Sequence, residues 1–70
     1  MKYFYIVVQQ QYGEKFFANV IKVSEHTNIY ARLNSMDNVL TAEICPSQKA
    51  AKEIASAYNY AYINNGVYLY

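Results

Sequence analysis

Residues 47–66, SQKAAKEIASAYNYAYINNG, decide how this chain folds. Wound at about 100° per residue, Ala50, Ala51, Ile54, Ala55, Ala57, Tyr58, Ala61 and Tyr62 fall on one side of a helix. Gln48, Lys49, Lys52, Glu53, Ser56 and Asn59 fall on the other. The five alanines of the apolar side let a partner approach closely. An aromatic-rich β-sheet fills such a space, and only the residues before Pro46 can supply it. Both helix ends carry signals. Ser47 can accept from the free amides of the first turn, and Pro46 discourages helix upstream. Asn64-Asn65-Gly66 offers a residue able to take positive φ, so that Val67 folds back onto Tyr62 in a Schellman stop. Tyr60 and Ile63 break the pattern by pointing to the polar side.

Working toward the N-terminus, Val39 to Cys45 alternates. Leu40, Ala42 and Ile44 share one face, and Thr41 and Glu43 share the other, as in a strand with one covered side. Leu40, Ala42 and Ile44 are expected beneath the alanine face of the helix. Asp37-Asn38 marks a turn. Residues 29–36 fit two readings. As a helix, Asn28 caps it and Ile29, Leu33 and Met36 share a face. As a strand, Ile29, Ala31 and Leu33 alternate with Tyr30 and Arg32. The helix is preferred.

Residues 2–10 and 15–24 are rich in β-branched and aromatic types, and Gln11-Tyr12-Gly13-Glu14 between them is a turn. They predict a long β-hairpin. In its first strand Phe4, Ile6 and Val8 line one face and Tyr3, Tyr5 and Val7 the other, so both faces expect some cover. An odd loop with a bulge at Gly13 sets Phe16, Ala18 and Val20 beside Phe4, Ile6 and Val8, giving a wholly apolar face. A two-residue turn mixes Asn19 into that face, so the odd loop is expected. Residues 67–70 offer a short edge strand after the helix. The fold class is therefore α+β, in the order ββ(α)βα(β): an antiparallel sheet built on the N-terminal hairpin plus a third strand, with one main C-terminal helix packed on one face.

Seventy residues are expected to form one domain, residues 1–70. A chain this short buries roughly 60% of its unfolded surface, and its core supplies only about 3–5 kcal/mol. Cys45 is alone, so no disulfide within the chain adds to that. Association with another copy is the remaining common source of stability. The lone thiol and the lack of a secretory or long apolar run lead to the expectation of a soluble, cytoplasmic protein without a membrane span. Net charge is +1, which gives no field steering the chain to nucleic acid or an anionic membrane. Nine tyrosines and no tryptophan favour half-buried surface and interfaces, because tyrosine joins a large apolar ring to a polar tip.

No motif for catalysis, cofactor or metal is present. His26 stands in a polar loop beside Glu25 and is expected to be solvated. Cys45 precedes the helix start, where a thiol can ionise more readily, but a small buried hydrophobe is the commoner role of a free cysteine. The five acidic residues lie in separate elements, and no nucleotide-binding glycine loop or CxxC occurs. The expectation is a non-enzymatic protein without cofactor that binds a protein partner or itself, as a homodimer. Its candidate surface is Tyr60, Ile63, Tyr68 and Tyr70, joined by Tyr12 or Tyr30. The alternative is a single-stranded nucleic-acid binder that stacks bases on Tyr3, Tyr5 and Phe17 beside Lys22.

The last third carries a likeness of another kind. Ala42-Glu43-Ile44-Cys45, Ser47-Gln48-Lys49, Tyr58-Asn59 and Asn65-Gly66-Val67-Tyr68-Leu69 together resemble a type of small uncharacterised protein from phages and conjugative elements of Firmicutes. Several of those chains carry Trp where this one has Tyr58. The resemblance implies a mobile-element origin and a shared fold, and it implies no catalytic residue.

Overall fold

The computed structural model describes residues 2–69. Strand β1, Tyr3–Tyr12, and strand β2, Lys15–Ser24, form the hairpin. Helix α1, Ile29–Asn34, strand β3, Val39–Cys45, and helix α2, Gln48–Asn64, follow. The sheet is antiparallel with order β2-β1-β3, so the most apolar strand is central. Ile6, Val7 and Val8 are each at most 1% exposed, which confirms that both faces of β1 are covered. Burying each of these side chains is worth about 1.5–3 kcal/mol. No helix among the described residues is long and apolar enough to cross a membrane.

Helix α2 lies on one face. Ala51 and Ala55 are buried against Val7, Ala18 and Cys45, with Ala50, Ile54, Tyr58 and Tyr62 packed around them. Ala51 has no exposed surface, which is the close approach that the alanines permit. Ala57 and Ala61 are exposed, so the buried stripe is narrower than the helical wheel implied. Both caps form as expected. Ser47 Oγ accepts from the Ala50 amide at 3.2 Å. Gly66, at φ 72°, turns the chain so that its own amide reaches Ile63 O and the Val67 amide reaches Tyr62 O at 2.9 Å.

The opposite face carries a second apolar cluster. Ile6, Val8, Ile21 and Val23 are buried there under Ile29, Leu33 and Met36, with Phe4 and Val39 beside them. Residues 29–34 are thus helix, and Asn28 caps them by accepting from the Ala31 amide. Six residues make a weak helix in isolation. Its apolar side chains Ile29 and Leu33, with Met36 just after its end, hold it on the sheet.

Two expectations about faces are corrected. The hairpin turns through two residues, Gly13 and Glu14, with Tyr12 opposite Lys15. Gly13 has φ 64°, the conformation that a glycine opening a two-residue turn supplies. Phe4 therefore faces Val23, Ile6 faces Ile21 and Val8 faces Asn19. Phe16, Ala18 and Val20 move to the α2 side with Val7, where Ala18 is buried. Asn19 costs little opposite Val8, because β2 is an outer strand and the Asn19 side chain stays exposed. The second correction concerns β3. Ile6 pairs with Ile44 and Val8 with Ala42, so Ala42 and Ile44 lie on the α1 face, away from the alanines.

Residues 67–69 also differ from the expected strand. The segment after α2 makes one parallel bridge, between Tyr68 and Phe16. The Phe16 amide donates to Val67 O and the Leu69 amide donates to Phe16 O. The outer edge of β2 is closed again nearby by Asn59. The Ala18 amide donates to Asn59 Oδ1 at 2.7 Å, and Asn59 Nδ2 donates to Ala18 O at 3.0 Å. Asn59, placed on the polar side by periodicity, acts as a one-residue substitute for a neighbouring strand.

Candidate functional site

The residues singled out in the sequence are not gathered into one site. Tyr60 and Ile63 are exposed on α2, at 68% and 52%. Tyr68 is half-buried in its bridge with Phe16, and Tyr70 lies outside the described residues. Tyr30, on α1, is on the other side of the sheet from α2 and cannot extend a patch around Tyr60. The nucleic-acid platform is also divided. Tyr5 packs in the α2 cluster, and Lys22 Nζ sits 4.2 Å above the Tyr3 ring. Phe17 pairs with Gln10 and faces the α1 side. The even-length turn is the cause, because it shifts β2 by one residue and turns Phe17 over.

His26 is solvated in the β2–α1 loop, its side chain 77% exposed and Nε2 3.5 Å from Glu25 Oε1. Cys45 is buried in the α2 cluster, its Sγ 4.0 Å from Glu43 O. No group of three or more His, Cys, Asp or Glu fit to hold a metal ion occurs among the described residues. Tyr62 stacks on Phe16 with ring centroids 5.4 Å apart. Its hydroxyl donates to Gln9 Oε1, and Gln9 Nε2 donates to Thr41 Oγ1. Burial, and then the neighbouring Tyr58, raises the Tyr62 pKa above the usual tyrosine value. This chain of bonds fastens α2 to β1 and β3.

An open concavity lies on the other face. A groove of about 380 Å³ is lined by Ile29, Tyr30, Leu33, Ala42 and Ile44. Strand β3 forms one wall and α1 the other. Apart from the Tyr30 hydroxyl no polar side chain lines it, and a small-molecule site usually needs several convergent polar groups to fix its ligand. Neither His26 nor Cys45 lines it. Leu40 and Ile44 are 50% and 55% exposed, and Tyr30 is 82% exposed. The apolar surface thus continues from the groove to the outer edge of β3.

That edge is unlike the edge of β2. Among the described residues, no backbone hydrogen bond from outside the sheet reaches residues 39–45. An extra residue, Leu40, bulges between the pairs Gln9–Thr41 and Gln10–Val39 and turns Val39 into the α1 cluster. Gln10, buried, anchors this end by donating to Asp37 O at 2.9 Å. Beyond the bulge, residues 41–45 run regularly. The alternation of Leu40, Ala42 and Ile44 was visible in the sequence, but not that α2 would leave it uncovered. No family model, curated protein or solved structure matches this chain.

Proposed function

We propose that this chain is a small non-enzymatic binding module that contacts another polypeptide through the outer edge of β3 and the adjoining α1–β3 groove. The observation that carries the reading is an unpaired strand edge bordered by half-exposed Leu40 and Ile44. An added strand satisfies the open amides and carbonyls, and its side chains cover the apolar row. The lone buried Cys45 fits a reducing, cytoplasmic setting. In the mobile-element context implied by the C-terminal resemblance, the partner is a host defence or replication protein, or the chain itself.

The test is affinity capture from a host lysate with three baits: wild type, Ile44→Lys and Tyr60→Lys. Both variants change exposed residues. Polypeptides captured by wild type and Tyr60→Lys and lost with Ile44→Lys support the β3 edge. Capture that survives Ile44→Lys and is lost with Tyr60→Lys moves the contact to α2 and overturns the proposal. Analysis of co-captured nucleic acid tests the alternative of single-strand binding.

A further inference from the structure

We infer that the occupant of the β3 edge is a second copy of this chain, its β3 antiparallel to the first across a two-fold axis at Ala42. The inference rests on the reading of that edge as a polypeptide-binding site and names the polypeptide.

Strand β3 is complementary to itself in one register. An axis at Ala42 sets Leu40 against Ile44, Thr41 against Glu43 and Ala42 against itself. Leu40 of the second copy then lies beside Ile44 on the α1 face and closes the open side of the groove. An axis at Glu43 sets two carboxylates directly opposite, which destabilises a strand pair. An axis at Thr41 sets Ile44 against Asn38 and breaks the apolar row.

The polar side agrees with the same axis. Thr41 Oγ1 accepts from Gln9, which leaves its own proton to donate. The Glu43 carboxylate of the second copy stands opposite, and it has no ion-pair partner among the described residues. The strand ends carry opposite charge. Asp37 is exposed just before β3, and Lys49 is exposed in the first turn of α2 just after it. Antiparallel pairing brings the acidic end of one copy to the basic end of the other, whereas parallel pairing sets like against like. The bulge at Leu40 limits the ladder. Backbone pairing is regular across residues 41–43, and Leu40 contributes as a side chain.

Sedimentation equilibrium and thiol cross-linking test the register. Wild type is expected to be a dimer at high micromolar concentration. Ile44→Lys is expected to be a monomer there with an unchanged far-ultraviolet circular dichroism spectrum. In a Cys45→Ala background, Ala42→Cys is expected to oxidise to a covalent dimer. Residues directly opposite in an antiparallel pair have Cα atoms about 4.5–5.5 Å apart, within disulfide reach. Leu40→Cys, opposite Ile44 rather than itself, is expected not to cross-link. A monomeric wild type, a dimer that survives Ile44→Lys, or equal cross-linking of Leu40→Cys overturns the inference. If wild type is monomeric but its captured polypeptides are still lost with Ile44→Lys, only the second copy is refuted. If capture too ignores Ile44→Lys, the edge reading falls with it.

Discussion

The two outer strands of this sheet meet solvent differently. On the β2 side, the Asn59 amide pairs with both backbone groups of Ala18, and residues 67–69 pair with both of Phe16. On the β3 side, a bulge at Leu40 interrupts the ladder, and two large apolar side chains are half exposed. Unpaired edges invite association, and proteins commonly block them. One edge here is blocked twice by the chain's own C-terminal third. Helix α2 lies over β1 and β2 and so reaches the β2 edge, while α1, of six residues, covers only part of the face that β3 shares.

The contrast can be broken most severely at its anchor. Ala51→Lys places a charge where no surface is exposed. The expected cost is about 4 kcal/mol or more, read as loss of the cooperative urea transition. Survival of the transition removes α2 as the element that closes the β2 edge. Asn59→Ala is next. It strips both partners from Ala18, and the expected loss is about 1–3 kcal/mol in urea melts. Faster hydrogen exchange at the Ala18 amide is the local signature, and unchanged exchange would mean that the edge is closed by something else.

Gly66→Ala sharpens the comparison at the second block. Its φ of 72° is costly for a residue with a Cβ, and the expected destabilisation is about 1–2 kcal/mol. The Phe16 and Leu69 amides, bonded across that block, should exchange faster. Tyr62 gives a pH-dependent effect. Its folded pKa is raised above 10.0, so the unfolded chain loses the proton first. Its contribution is fully present below pH 10.0 and is lost as pH rises through the raised value. Tyr62→Phe should flatten that alkaline loss in urea midpoints, and an identical alkaline slope would assign the loss to other groups. The smallest effect belongs to the open edge. Ile44→Lys, measured at concentrations too low for association, should change stability by no more than about 0.5 kcal/mol. A larger loss would show that β3 is part of the core and not a free edge.

Much of this fold was legible in short windows. The span and caps of α2, the Gly66 stop, the helix started by Asn28, and the strand from Val39 to Cys45 each depend on a few adjacent residues. So did the signal for the hairpin register, since Gly13 suits the first position of a two-residue turn. A wholly apolar face is not needed there, because an outer strand lets Asn19 point to water. The candidate site was much less legible. Leu40, Ala42 and Ile44 were recognised as a row, but the side that Ala42 and Ile44 occupy follows from pairing with Ile6 and Val8, far away in sequence.

By itself the sequence determined the periodic elements and their ends, because periodicity, capping and turn chemistry act between neighbours. Which face of β3 meets α1, which edge Asn59 closes and which edge stays open were decided only by tertiary structure. Those outcomes depend on strand order and on where α2 comes to rest over the sheet, and both are set by packing between distant segments.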